Sequence, residues 1–192
     1  MKFFIDTANI SEIEELIPSG LIDGVTTNPS LIAKNGNDMA KTIKSICSIV
    51  SGPVSAEVTA TDYKKMLEEG EYLSSLAKNV AVKVPLTPAG LRTCKSLREK
   101  NIMVNVTLCF SVSQALLAAK VGATFISPFV GRLDDIGEKG MDLISDIVTM
   151  YENYGFDTEV LVASIRNTQH LAEAAVIGAH VATIPAKVIQ EL

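Results

Sequence analysis

Asn79-Val-Ala-Val-Lys-Val-Pro85 sets a lysine inside a short run of β-branched and small apolar residues. The run is too short for a buried helix, rich in Val and closed by Pro85, so it reads as a buried strand. Ammonium groups are expensive to take out of water, and lysines are rarely buried without a reason. One reading puts Lys83 on an exposed strand face, its stem along the sheet and its head in water. The other is chemical: an amine held among apolar neighbours loses its proton more readily and can attack a carbonyl to form a Schiff base. The surrounding chain decides between them.

Working outward, the same kind of run recurs with helical patterning between. Lys2–Asp6, Asp23–Asn28, Val54–Thr59, Ile102–Thr107, Thr124–Val130, Glu159–Ser164 and His180–Pro185 all read as strands. Ser11 with Glu14 has the form of a capping box opening a helix to Ile17, closed by Pro18 and Gly20. Asn37 or Asp38 opens the next helix, with Met39, Ile43, Ile46 and Val50 at helical spacing. Thr61 or Asp62 caps a helix to about Leu76, Thr87 one to about Lys100, and Ser111 one to Lys120. Gly131–Asp135 reads as a loop, Gly140–Asn153 as a helix, and Asn167–Ile177 as a short Ala-rich helix ended by Gly178.

Strand and helix thus alternate about eight times over short connections, which implies parallel strands with helical crossovers. The expected fold class is α/β: a (β/α)₈ TIM barrel, one domain over residues 1–192. A doubly wound open sheet is the alternative, weakened because no GxGxxG follows the first strand.

Composition narrows the function classes. A net charge of −5 argues against nucleic acid or an anionic membrane as the main partner. No apolar run approaches membrane-spanning length, and a strand starting at Lys2 leaves no room for a signal peptide. Cys47, Cys94 and Cys109 are odd in number and far apart, and the only histidines are His170 and His180. Neither a disulfide framework nor a metal site is expected, and the cytoplasm is the default compartment.

Strand side chains alternate faces with period two. On the Lys83 strand Val80, Val82 and Val84 share one face, while Ala81 and Lys83 share the other. In a barrel the β-branched face packs under the helices, so Lys83 points inward. The same split sends Phe4 and Asp6 inward, with Ser55 and Glu57, Asn105 and Thr107, and Ser127 and Phe129. Applied to the seventh strand, it sends Val162, Ser164 and Arg166 inward against Leu161, Ala163 and Ile165. Barrel interiors are normally filled with branched apolar residues. Asp6 as a cap, Asn28 as a turn former, Glu57 as a counter-ion and Thr107 as filler are each ordinary. Several polar groups at the C-terminal ends of strands, on one inward face, call instead for a polar substrate.

The stretches FIDTAN, DGVTTNPSLIAK, AEVTA, AVKVPLTPAGL, NVTLCFS, ISPFVGRLDD and VLVASIRN, from residue 2 to about residue 187, resemble the transaldolases. The likeness is to their small-subunit branch, which includes the fructose-6-phosphate aldolases. The resemblance implies transfer of a dihydroxyacetone unit from sedoheptulose 7-phosphate or fructose 6-phosphate to an aldose phosphate. It implies Lys83 as the Schiff-base lysine, Asp6 as acid/base, and Glu57 and Thr107 as holders of a catalytic water. Thr27, Asn28, Asn105, Ser127 and Phe129 match substrate contacts, and Arg132, Ser164 and Arg166 match the phosphate pocket. The chemistry is coherent by itself. Breaking a carbon–carbon bond beside a hydroxyl leaves a carbanion that a lysine iminium converts to an enamine. Guanidinium groups suit a phosphate dianion. No metal or organic cofactor is needed.

The aldolase branch, a lyase releasing free dihydroxyacetone, carries Gln where this chain has Glu57 and Tyr where it has Phe129. A non-catalytic phosphosugar-binding barrel would not call for a buried lysine. Relatives of the branch continue with a full final helix and a further one, and form ring-like homo-oligomers. With Leu192 as the last residue, the terminal helix is expected to be short or cut off.

Overall fold

Every strand pairs in parallel with the next, and the eighth closes on the first through Lys2↔Val181, Phe3↔Ala182, Phe4↔Thr183 and Ile5↔Ile184. Closure rules out the open doubly wound sheet. The structure, a computed structural model, describes residues 1–34 and 38–192. The order is β1 Lys2–Asp6, α1 Ile10–Leu16, β2 Gly24–Thr26, α2 Pro29–Lys34, α3 Met39–Ile49, β3 Val54–Glu57 and α4 Tyr63–Ser75. There follow β4 Val80–Pro85, α5 Pro88–Arg98, β5 Met103–Cys109, α6 Val112–Lys120, β6 Phe125–Pro128 and α7 Val130–Asp134. The chain ends with α8 Gly140–Tyr154, β7 Glu159–Val162, α9 Thr168–Ile177, β8 Val181–Ile184 and α10 Ala186–Gln190. Among the described residues, no helix is long and apolar enough to cross a membrane.

Side-chain caps start the helices where the sequence places them. Asp38, Asp62, Thr87, Ser111 and Asn167 each accept the backbone N–H three residues on, a contact worth about 1 kcal/mol apiece. Asn37, the other expected opener of α3, lies outside the described residues. Ser11 is not a cap. Asn9 caps α1 by accepting from Ser11 N–H at 3.0 Å, and Glu12 rather than Glu14 reaches back, to Thr7 Oγ1 at 2.6 Å and Asn9 Nδ2 at 3.3 Å. Two short helices were not expected. Pro29 stops β2 but suits a first helical turn, and the Asn28 side chain accepts Leu31 N–H there. Gly131–Asp135, expected as a loop, instead forms most of α7 and its C-terminal cap.

Two apolar layers follow from the alternation. The outward faces of the strands, including Val25, Val54, Val82, Val104, Ile126 and Val160, pack beneath the helices and are buried. Inside, Phe4, Ala81, Phe125, Leu161 and Val181 fill the barrel beneath the site, with Ala163 packed above them and Phe4 edge-on to Phe125 at 5.7 Å. Gly24 makes room for that floor, since a Cβ there would stand 2.6 Å from the Phe4 ring. Inward parity holds for β1, β3, β4, β5 and β6 but fails on β7, where Leu161 and Ala163 face inward and Val162 packs outward. The physical reason is local. β7 ends at Val162, and Ser164 adopts φ +62°, so counting by twos back from Ser164 crosses a turn and inverts the face.

Candidate active site

Lys83 stands level with Glu57 on one side and Asn105 on the other, because β4 is paired in register with β3 and β5. Its side chain is only 10% exposed, and its Nζ lies 3.0 Å from Glu57 Oε2 and donates to the Thr27 carbonyl at 3.3 Å. The carboxylate and the carbonyl offset part of the cost of burying that amine. It also opens onto space: Lys83 lines a cavity of about 300 Å³ at the C-terminal mouth of the barrel and an adjoining recess of about 520 Å³.

Asp6, at the end of β1, belongs to a relay of hydroxyls. Thr26 Oγ1 donates to Asp6 Oδ1 at 2.7 Å and lies 2.5 Å from Thr183 Oγ1. A hydroxyl has one proton, so Thr183 must donate to Thr26. Burial pushes the Asp6 carboxyl up from its ordinary value, with the Thr26 hydrogen bond and the Lys83 charge acting the other way. Asp6 therefore holds a proton more readily than a surface aspartate.

A second relay fixes the far wall. Ser127 Oγ donates to Asn105 Oδ1 at 2.7 Å, and Asn105 Nδ2 donates to Ser55 Oγ at 3.2 Å. Those bonds set which end of the amide faces which neighbour. Thr107, one turn of the pleat above Asn105, behaves differently: it is 1% exposed, yet Oγ1 finds no hydrogen-bond partner among the described residues. Buried hydroxyls are rarely left so.

The rim carries the cations. Arg132 on α7 and Arg166 on the β7–α9 connection both line the cavity with Ser164. Among the described residues Arg132 has no ion-pair partner, whereas Arg166 Nη2 donates to Asp135 Oδ2 at 2.8 Å. Phe129 lines the wall between the two spaces, its ring 5.9 Å from that of Phe110. A polar cavity of this size with an amine, a carboxylate and guanidinium groups suits a small phosphorylated carbonyl compound.

A family model described as Transaldolase/Fructose-6-phosphate aldolase matches residues 3–192. The chain belongs to that family. It is similar to a probable transaldolase of Chelativorans sp., 60% identical over 192 residues, covering all of this chain and 88% of that one. A probable transaldolase of Rhodospirillum centenum is 61% identical over 193 residues, covering all of this chain and 84% of that one. Among solved structures, a mandelate oxidase mutant with an FMN adduct matches at TM-score 0.66 over 96% of this chain and 64% of that one. At 14% identity, that last likeness speaks only for the barrel.

Of the residues singled out from the likeness to the transaldolase/aldolase family, Asp6, Asn28, Lys83, Asn105, Thr107, Ser127, Phe129, Arg132, Ser164 and Arg166 line one cavity. Glu57 lies in the adjoining recess, which shares Asn28, Lys83, Thr107, Phe129 and Arg132 with the first. Thr27 lines neither space; its Oγ1 donates to the Ser55 carbonyl at 2.8 Å, and only its carbonyl reaches Lys83. Ser164 reaches the cavity through the left-handed turn after β7, not through strand parity. Sequence reading overlooked Thr26 and Thr183, which hold Asp6. Counting back by two from Asn28 finds Thr26, and Thr183 is the one polar residue in the strand Val181–Ile184.

Proposed function

We propose that this barrel is a transaldolase working through a Schiff base on Lys83. The observation that carries the reading is a lysine amine, buried at the base of a cavity and 3.0 Å from a carboxylate, with Arg132 and Arg166 on the same cavity's rim. Lys83 Nζ attacks the C2 carbonyl of a ketose phosphate such as fructose 6-phosphate or sedoheptulose 7-phosphate, giving a carbinolamine. Loss of water from it forms the iminium. Glu57, through a water on the Thr107 hydroxyl, moves the protons that this dehydration needs.

Asp6 then takes the proton of the C4 hydroxyl as the C3–C4 bond breaks. The bonding pair moves into the iminium, leaving a three-carbon enamine on Lys83 and a free aldose phosphate. The acceptor aldehyde enters, the enamine carbon attacks its carbonyl carbon, and Asp6 returns its proton to the new hydroxyl. Hydrolysis of the iminium frees the product ketose. Asp6's raised affinity for a proton suits a group that must both take and return one. Arg132, Arg166 and Ser164 hold the phosphate by charge-assisted hydrogen bonds.

Borohydride reduction in the presence of fructose 6-phosphate, followed by peptide mapping, tests the nucleophile. The expected adduct is on Lys83 and disappears in Lys83→Met. An adduct on any other lysine refutes the assignment.

A further inference from the structure

Arg166 does not stand on a regular element. β7 ends at Val162, and Ser164 takes the left-handed turn before α9 begins at Thr168. Something else must fix that connection. The N–H of Arg166 donates to His170 Nδ1 at 3.3 Å, and His170 Nε2 lies 3.0 Å from Asp134 Oδ2. With Nδ1 accepting, the ring carries its donor proton on Nε2 and directs it at the carboxylate. Asp134 is itself held, its other oxygen accepting the Gly140 N–H at 3.0 Å. His170 is the third residue of α9, and its own N–H is capped by Asn167 at 2.8 Å, so the ring is anchored at both ends.

Asp134 ends α7, the helix that carries Arg132. The histidine therefore bridges the two segments that bear the rim arginines. The same helix and the residue that caps its end meet Arg166 twice more. Asp135 accepts from its guanidinium, and a Cβ on Gly131 would stand 2.3 Å from the Ser164 carbonyl oxygen and 2.6 Å from Arg166 Nε, so glycine is needed for this approach of the two segments.

We infer that His170 and Asp134 are positioning residues that set the spacing of Arg132 and Arg166 and so determine preference for phosphorylated sugars. This rests on the phosphate role given to the two arginines above. Neither positioning residue touches the substrate; both act through Arg166.

The probe is glucitol 6-phosphate, which has no carbonyl and cannot form an imine, measured by calorimetry against the whole protein. His170→Leu removes both contacts and is expected to raise its Kd about three- to tenfold, the loss of one net hydrogen bond. His170→Gln can still accept from the Arg166 N–H and donate to Asp134, and is expected to recover most of the binding. In an Arg166→Ala background, His170→Leu is expected to add nothing, because the residue it serves is gone. Borohydride trapping of dihydroxyacetone on Lys83, which needs no phosphate contact, should stay at the unsubstituted rate in both His170 variants and confirms that they fold. Two results overturn the inference: a His170→Leu effect of equal size with and without Arg166, or parallel loss of phosphate binding and dihydroxyacetone trapping. If the unsubstituted protein binds glucitol 6-phosphate no better than glucitol, the phosphate site itself fails, and the positioning role with it.

Discussion

Replacing Thr107 by Val exchanges a hydroxyl for a methyl group of nearly the same size at a position 1% exposed. In most cores that exchange is costly because the hydroxyl's hydrogen bond is lost. Thr107 Oγ1 has no such bond to the described protein, so the usual cost is missing. An unpaired buried hydroxyl carries a desolvation penalty of about 1–3 kcal/mol, and a water resting on it would return part of that. Thr107→Val is therefore expected to leave stability unchanged or raise it by up to about 1 kcal/mol. For a chain of this length, 1 kcal/mol corresponds to about 2–4 °C in Tm. Ser127→Ala provides the contrast: Ser127 is equally buried at 2%, but its hydroxyl donates to Asn105 Oδ1 at 2.7 Å. Its removal strands that acceptor and should cost about 1–3 kcal/mol. The two substitutions, one strand apart, should shift Tm in opposite directions or leave only Ser127→Ala lowered. Activity should not follow stability. If Thr107 holds the water through which Glu57 moves protons, kcat for fructose 6-phosphate with erythrose 4-phosphate should fall about a hundredfold in Thr107→Val, the lower range for acid–base assistance. Thermal unfolding and coupled turnover on the same samples decide it. A Val variant destabilised by more than about 1 kcal/mol that keeps its turnover would make the hydroxyl structural and refute the argument.

Further outcomes follow from the Asp6 relay and the Phe129 ring. Burial raises the Asp6 proton affinity and the Thr26 hydrogen bond opposes that, so Thr26→Val should move the acid limb of kcat/KM to higher pH. The sign for stability is that of a raised carboxyl. Below the unfolded value Asp6 is neutral in both states and contributes nothing; between that and the raised folded value the unfolded chain ionises first, so stability falls until pH has passed the folded value. Asp6→Asn should accordingly gain Tm at neutral pH and lose that gain as pH falls from the raised folded value toward 3.8. A pH-independent Tm difference would contradict it. Phe129, on the wall between the cavity and the recess, offers no hydrogen bond to water beside the enamine proposed on Lys83. Phe129→Tyr adds one and should raise free dihydroxyacetone relative to transfer when fructose 6-phosphate is turned over with and without erythrose 4-phosphate; an unchanged product ratio speaks against that role.

Much of this molecule is legible before folding. Alternating Val-rich runs and capped helical stretches specify parallel crossovers, because apolar periodicity and caps are short-range chemistry carried by neighbouring residues. For the same reason the inward face of β4 could be read around Lys83: the flanking valines leave its side chain one direction. Parity fails at β7, where Val160, Leu161 and Val162 are all apolar and the polar marker, Ser164, lies beyond a backbone reversal. Thr26 and Thr183 look like ordinary strand residues until barrel closure brings residues 157 apart in sequence within 2.5 Å of each other. His170 is only one residue of the Ala-rich stretch Asn167–Ile177 until α7 and α9 come together and Asp134 meets its ring. Local propensity determines which element a residue joins. Which of its atoms is left without a partner, and which carboxylate the His170 ring meets, are decided only when strands and helices remote in sequence are brought into register by the closed barrel.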